Sequence, residues 1–423
     1  MENVFQSPRC GPMQYIAHNM NSFQDRMLTL ARWGVIGLLF SISFSKALFN
    51  ISSTLMIAGW LLSGDFPHKL SLMRRSPVTA ASIGLFLIIA ISTLYSEADL
   101  QRMLISVQAY SKLLFIPIIV SLIDTPQWRY RCWNGFAAGM IVTLAHAYAD
   151  IWFDMPWTRT YQTDLNGDTG VFQHHIAQTV VMAFFAAFCL HRARRSQLTG
   201  YRVLWIALST LAALSITHLS IARTGQVALM VALLTLLMVS VPRRWVLPSL
   251  GGFVLVALLL GLSSSSLQSR FQQAYEEVTQ FQFKNDYSSV GARLQMWNIS
   301  LGLIREKPLL GHGAGSYTPL VEKAFADEHM CSIGCAQPHN QFLLFGVETG
   351  LLGVLAFCAL LASVLVAWLQ MPDRNPLLPV YVVILGLTCL SDSGLLIRAQ
   401  AYFFIPVLGL LASGPICTEE TVA

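Results

Sequence analysis

Residues 341–369 read QFLLFGVETGLLGVLAFCALLASVLVAWL, with Glu348 as the one charged side chain. A helix needs roughly 20 predominantly apolar residues to cross the hydrocarbon of a bilayer, and this run exceeds that. Similar runs lie near Leu28–Ser45, Ala47–Leu62, Val78–Tyr95, Met103–Ile123, Cys132–Trp152, His175–Leu190, Val203–Leu219, Gly225–Val241, Val246–Leu262, Leu377–Leu390 and Ala401–Leu411. The expected fold class is therefore an all-α polytopic membrane protein of about 12 transmembrane helices. Composition agrees: 12% of the 423 residues are charged and 54% are hydrophobic, where soluble domains carry about 25% charge. That balance excludes a soluble enzyme, a nucleic-acid-binding domain and a disordered scaffold. The net charge of +5 belongs first to topology, because basic loops are retained in the cytoplasm.

Alternate loops divide the basic residues unevenly. One set holds Arg9, Arg26, Lys69, Arg74, Arg75, Arg129, Arg131, Arg192, Arg194, Arg195, Arg202, Arg243, Arg244 and Arg374; the other short loops hold only Lys46, Arg102, Arg159, Arg223 and Arg398. The first set is expected in the cytoplasm together with both termini. The predicted organisation is a cytoplasmic amino terminus (1–27), helices one to nine (28–262), a periplasmic loop (263–338), helices ten to twelve (339–412) and a cytoplasmic tail (413–423). The polar stretch before Leu28 lacks the layout of a cleavable signal, so the first helix is expected to stay as an anchor. The long loop opens with an amphipathic pattern over Leu267–Phe281, passes a turn signal at Asn285-Asp-Tyr, and predicts a second helix over Ala292–Ile304 that Pro308 ends. Gly311-His-Gly-Ala-Gly-Ser is too glycine-rich to be regular.

Several residues can carry chemistry. Arg223 sits in Ser220-Ile-Ala-Arg-Thr-Gly, a short turn between apolar helices, where a guanidinium is costly unless something anionic meets it; snorkelling to lipid phosphate is the plain alternative. Arg293 and Trp297 are four apart on one helical face, a pairing that suits a pyrophosphate or a sugar ring and also suits an ordinary surface cation-π contact. His339, in Gln337-Pro-His-Asn-Gln, can take a proton from an alcohol if a hydrogen bond fixes its tautomer, with Asn340 and Gln341 able to orient it; the plain reading is a helix cap. His174 and His175 are adjacent and so do not share a helical face, which disfavours a metal pair. His312, Asp164 and Asp168 are candidate sugar contacts or solvated loop residues. Lys112 and Asp392 are charges near apolar helices, explicable as a buried network or by snorkelling. Of eight cysteines, Cys331 and Cys335 fall in the long loop; a local disulfide is the first reading and free thiols the second.

Taken in order, Ser220-Ile-Ala-Arg-Thr-Gly, Ser289-Val-Gly-Ala-Arg-Leu-Gln-Met-Trp, Glu306-Lys-Pro-Leu-Leu-Gly-His-Gly-Ala-Gly-Ser-Tyr, Pro338-His-Asn-Gln and Glu348-Thr-Gly-Leu-Leu-Gly resemble the bacterial O-antigen ligase and polymerase superfamily. His312 departs from the small apolar residue expected within the Gly-x-Gly element. The resemblance implies a GT-C-type glycosyltransferase that needs no metal or other cofactor and takes a glycan from undecaprenyl diphosphate on the periplasmic side of the bacterial inner membrane. It implies Arg223 and Arg293 on the donor diphosphate and His339 as general base, with Trp297, Asn340, His312, His174 and His175 as further substrate contacts. The acceptor expected for a ligase is lipid A core, with membrane lipids as surroundings and no nucleic acid. A polymerase joining lipid-linked repeat units shares the site and differs in the acceptor. A protein-glycosylating member is disfavoured by the short segment after the last helix. A lipid-linked glycan transporter would have no use for a large outer loop bearing Arg293 and His339.

Overall fold

In the computed structural model the residues described are 22–153, 155, 157, 158, 170–264, 268, 269, 272, 275, 276, 279, 289–324 and 335–414, and among them all regular structure is helical. The helices are α1 (Ser22–Ser41), α2 (Lys46–Leu62), α3 (Phe66–Arg75), α4 (Pro77–Ser92), α5 (Leu100–Tyr110), α6 (Phe115–Leu122), α7 (Pro126–Ala149) and α8 (His175–Arg195). They continue as α9 (Thr199–His218), α10 (Arg223–Ser240), α11 (Arg243–Ser263), α12 (Ser289–Glu306), α13 (Tyr317–Ala324), α14 (Gln341–Gln370), α15 (Leu377–Ser391) and α16 (Arg398–Ala412). A polytopic membrane protein follows: 7 helical segments are long and apolar enough to cross a bilayer, or 8 if α2 and α3, bent by 117° at Gly64, count as one span. α15 and α16 are apolar but shorter. α1 and α7 also occupy predicted positions, yet Asp25, Arg26 and Arg32, and Arg129 and Arg131, break their apolar character.

Two predicted helices are interrupted. The run Met103–Ile123 narrows into a 3-10 turn at Ser111–Leu114 before α6 resumes. Pro117 explains the break: its ring lacks an N–H and crowds the carbonyl four residues earlier, that of Leu113. The run 341–369 forms α14, but Gly350 sits at φ 62, ψ −158, outside helical space and open only to glycine.

α8 is the central helix, buried along almost its whole length, whereas α11 buries no residue and faces outward throughout. Around α8 the rings of Phe184 and Phe188 pack on Trp133 and Phe136 of α7 and Phe403 of α16, with centroids 5.2–6.4 Å apart. Lipid is as apolar as a side chain, so close packing rather than water exclusion holds such helices together. Between α1 and α2 that packing depends on glycine: a Cβ on Gly34 would stand 2.6 Å from the Met56 nitrogen, and one on Gly59 2.7 Å from the Met27 carbonyl.

Contacts between helix ends define two faces. On one, Arg32 Nη2 meets Asp124 Oδ1 at 2.6 Å, Arg129 Nη1 donates to the Asp124 and Ser413 carbonyls, Arg194 Nη2 to the Ser240 carbonyl at 2.7 Å, and Arg195 pairs with Asp373 at 3.7 Å. This is the basic face. On the other, Gln173 Nε2 donates to the Ile42 carbonyl at 2.5 Å, Ser264 Oγ to the Thr217 carbonyl at 2.5 Å, and Tyr402, near the start of α16, stacks on Phe49 of α2 with centroids 3.7 Å apart. Helices α2, α8, α10, α14 and α16 begin on this second face. Their aligned peptide dipoles bring partial positive charge to it.

Candidate functional site

His339 is held by the residues around α14's first turn. Asn340 caps that helix, its Oδ1 accepting from the Phe342 and Leu343 N–H groups at 2.9 and 3.1 Å, while its Nδ2 donates to the Leu390 carbonyl. Gln341 Nε2 donates to the Tyr110 hydroxyl at 2.9 Å and its Oε1 accepts from Leu395 N–H at 3.0 Å. Between these fixed neighbours and Pro338, His339 adopts φ 50, a left-handed conformation that a non-glycine residue keeps only where the surroundings enforce it. The result is an imidazole whose Nδ1 meets Asp392 Oδ1 at 3.1 Å.

Asp392, at the end of α15, completes a dyad. Its side chain is 6% exposed against 27% for His339. Gln400 Nε2 donates to Oδ2 at 2.8 Å and Ser393 N–H to Oδ1 at 3.0 Å. A carboxylate can only accept, so the shared proton belongs to His339 Nδ1, which leaves Nε2 as the basic nitrogen. Nε2 has no hydrogen-bond partner among the described residues. The partner that fixes the histidine tautomer is thus Asp392, and not Asn340 or Gln341 as the sequence suggests.

α12 brings the next two residues to this point. Trp297 Nε1 donates to the Pro338 carbonyl at 2.9 Å, tying the helix directly to the residue before His339. Arg293 lies one turn earlier on α12 and is half-buried. Arg223 opens α10 and is also half-buried. α10 packs against α15 and runs antiparallel to it, so the start of α10 and the end of α15 that carries Asp392 share one face. α8 begins beside α10: a Cβ on Gly225 would stand 2.1 Å from Thr179 Oγ1, which puts His174 and His175 at the same level as Arg223. His174 caps α8, accepting from Ile176 N–H through Nδ1, and its ring lies 4.0 Å from that of His175. A shallow notch lined by Ala147, Gln178, Thr179, Met182, Ser215, Leu219 and Ser220 opens between these ends.

The other two motif segments meet at the break in α14. With the helix interrupted at Gly350, Leu351 N–H donates to the Pro308 carbonyl at 2.9 Å and Leu352 N–H to the Leu309 carbonyl. In return the Val347 and Glu348 carbonyls accept from His312 and Gly313 N–H, both at 2.8 Å. The buried Glu348 carboxylate adds bonds from Gly315 N–H at 3.0 Å and from Tyr317 N–H, capping α13. Gly311, Gly313 and Gly315 all have positive φ, which lets the segment follow the broken helix so closely. Glu306–Tyr317 and Glu348–Gly353 therefore form one interlocked unit whose role is architectural.

His312 belongs to that unit and stands apart from the dyad. Its ring is 3% exposed, with Nδ1 on Glu97 Oε1 at 3.1 Å and Nε2 on the Leu303 carbonyl at 3.0 Å. Lys307 reaches the same Glu97 carboxylate. These two partners, the lysine first, hold the Glu97 carboxyl below its ordinary range. Tyr95 hydroxyl to the Leu310 carbonyl, Ser96 Oγ to the Ala314 carbonyl and an Arg102–Glu322 pair at 3.2 Å extend this anchor. The α4–α5 connection, silent in the sequence reading, is thus what fastens α12, α13 and the glycine segment to the bundle. Lys112 lies in the 3-10 turn, its Nζ donating to the Ala109 carbonyl at 3.0 Å. A cavity of about 370 Å³ lined by Tyr130, Asn134, Arg192, Trp205 and their neighbours opens at the basic face, remote from the dyad. Cys335 is disulfide-bonded; Cys331, Asp164, Asp168, Arg159, the turn at Asn285 and most of the pattern at Leu267–Phe281 lie outside the described residues.

The fold and this site define a class: a polytopic helical membrane protein with an oriented histidine and two arginines at one end of its bundle. Residues 208–358 match the family model described as O-Antigen ligase. That segment holds all five motifs whole and reaches from before Arg223 to beyond His339, consistent with the O-antigen ligase and polymerase superfamily that the motifs resemble. Members of that family are glycosyltransferase-like enzymes acting on lipid-linked glycans in a membrane. The chain is also similar to an uncharacterized protein of Haemophilus influenzae, 23% identical over 286 residues that cover 65% of this chain and 69% of the relative.

Proposed function

We propose that this protein is an O-antigen ligase, an inverting glycosyltransferase that moves a glycan from undecaprenyl diphosphate to a hydroxyl of lipid A core. The observation that carries the reading is the dyad: His339, proton on Nδ1 toward buried Asp392 at 3.1 Å and Nε2 open, beside the helix that bears Arg293. In the proposed step an acceptor hydroxyl gives its proton to His339 Nε2 as its oxygen attacks the anomeric carbon. The bond from that carbon to the diphosphate breaks, and its electron pair leaves on the phosphate oxygen. Arg223 and Arg293 meet the charge that develops there, supported by the helix N-termini on the same face. Trp297 offers its indole to the sugar. His174 and His175 border the donor side, while Asn340 and His312 act through the backbone they hold.

The basic face is then cytoplasmic and the site face periplasmic, with both termini inside, in line with the distribution of Lys and Arg. The arginine pair fills the electrostatic role that a divalent metal has in nucleotide-sugar enzymes, so transfer proceeds in excess chelator. Deletion of the gene tests the assignment. A ligase defect leaves lipid A core uncapped while polymerised lipid-linked glycan accumulates. Single repeat units on the core would instead identify a polymerase and overturn the ligase reading.

A further inference from the structure

Two cations flank the dyad without a carboxylate of their own. Lys112 is carried by the 3-10 turn that follows Tyr110, and Tyr110 is bonded to Gln341, two residues after His339. Arg398 opens α16 two residues before Gln400, whose amide holds Asp392. Two elements that hold the dyad therefore each carry a cation two residues from the holding side chain, at the same level of the bundle and on a different bearing. The cations share a neighbour: Lys112 Nζ lies 5.8 Å from the ring centroid of Tyr402, and the exposed Arg398 precedes Tyr402 by one turn on α16, on the same helical face. Tyr402 is itself fixed, stacked on Phe49 and donating to Asn50 Oδ1 at 3.2 Å. Neither cation forms an ion pair with a described carboxylate. Asp392, the buried acid nearby, is already occupied by His339, Gln400 and Ser393.

Two like charges held together beside apolar helices repel each other unless a shared anion lies between them. Snorkelling accounts for one cation at headgroup depth but gives no reason for two to converge. The break at Ser111–Leu114 is also relevant, since a continuous helix would have carried residue 112 on another bearing.

We propose that Lys112 and Arg398 form a second phosphate-binding point, on the α16 side of the dyad, that takes a phosphate group of the lipid-anchored acceptor and so presents its hydroxyl to His339. The proposal rests on the glycosyl-transfer reading above and adds a site distinct from the donor arginines. A point charge and a planar guanidinium together suit a phosphate ester, which offers three acceptor oxygens and up to two negative charges.

Binding can be read without turnover, using full-length protein in nanodiscs of zwitterionic phospholipid with no donor present. The probes are lipid A core with its phosphates intact and the same glycolipid after phosphatase treatment. Wild type should bind the phosphorylated form at least about tenfold more tightly, the range expected of charge-assisted bonds. Lys112→Gln/Arg398→Gln should bind both forms equally, at the wild-type affinity for the dephosphorylated one. Discrimination retained by the double variant would overturn the site. So would an unchanged acceptor affinity coupled to a tenfold loss of undecaprenyl diphosphate binding, which would make the pair a donor contact. A wild-type preference that appears only with anionic phospholipid in the disc would assign the pair to bulk lipid and also overturn it. If the discrimination holds but wild type transfers no glycan, the site stands and the transferase reading fails. Thermal stability of the double variant close to wild type verifies that the protein compared is folded.

Discussion

Replacing Asp392 by asparagine separates the two tasks this residue has, holding His339 and carrying negative charge. Asp392 Oδ1 receives His339 Nδ1 and Ser393 N–H, and Oδ2 receives Gln400 Nε2. An asparagine with its oxygen in the Oδ1 position keeps the first two bonds and turns its amide toward Gln400. That would set donor against donor, but Gln400 Oε1 is buried without a partner, so rotating the Gln400 amide restores the bond. The histidine tautomer and the fold survive; the charge is lost. An imidazolium and a carboxylate whose charge centres are about 4 Å apart interact by about 4 kcal/mol at an effective dielectric of 20, which bounds the loss at about 10³-fold. General-base loss of about 10²- to 10⁴-fold brackets the same range. We expect Asp392→Asn to lower kcat by about 10²- to 10³-fold with donor affinity and melting temperature near wild type. Asp392→Ala strands Ser393 N–H and Gln400 Nε2, at about 1–3 kcal/mol each, and should lower stability as well. The assay is glycan transfer by purified protein, with donor binding and thermal unfolding in parallel. Wild-type kcat in the asparagine variant would refute the claim that Asp392 supports a proton-accepting His339.

Three further outcomes test the architecture. Gly350→Ala adds a Cβ 2.4 Å from the Leu309 carbonyl group at a φ of 62, so stability should fall by at least the roughly 1–3 kcal/mol of a strained backbone residue, read as a lower melting temperature. Glu97, its pKa depressed by Lys307 and His312, contributes stability that is present above the ordinary carboxylate range and fades as pH falls through its lowered value; Glu97→Gln should therefore loosen the segment at 308–316 toward protease at pH 7 and converge on wild type as the pH falls through that lowered value, and high salt should shrink the difference because Glu97 is solvent-accessible. Cysteine placed at Leu309, 64% exposed, should react with an impermeant reagent from the periplasm while cysteine at Leu198, 62% exposed on the basic face, should not; the reverse pattern would invert the topology.

The helices were legible because lipid imposes a length and a composition that a sequence displays directly. Helix is found at each of the twelve predicted positions, but only 7 or 8 of the helical segments are long and apolar enough to cross a bilayer; α12 covers the predicted Ala292–Ile304. The interruptions were harder to read. Pro117 marks the break before α6 only once a continuous helix is doubted, and Gly350 looks like any transmembrane glycine until its partner segment at 308–313 is known. Arg223, Arg293 and His339 stood out because polar groups beside long apolar runs are conspicuous. Asp392 stands out in the sequence as a charge, but its bond to His339 joins residues 53 apart across two helices, α14 and α15, and no local pattern encodes that. The Glu97 anchor is hidden in the sequence for the same reason, since its partners Lys307 and His312 lie more than 200 residues away. His312, which departs from the motif it sits in, owes its place to Glu97 and Leu303 rather than to an open surface.

The central claim is that His339 acts as the base while the arginines hold the donor diphosphate. It is tested most directly by measuring donor affinity and glycan transfer side by side for purified His339→Ala, Arg223→Ala and Arg293→Ala. The account predicts that His339→Ala abolishes detectable transfer yet still binds undecaprenyl diphosphate-linked glycan, whereas each arginine variant loses donor affinity as well as turnover, with lysine restoring it only in part. Transfer by His339→Ala at near wild-type rate would contradict the base assignment, and loss of donor binding as complete as in the arginine variants would make His339 a third diphosphate ligand instead.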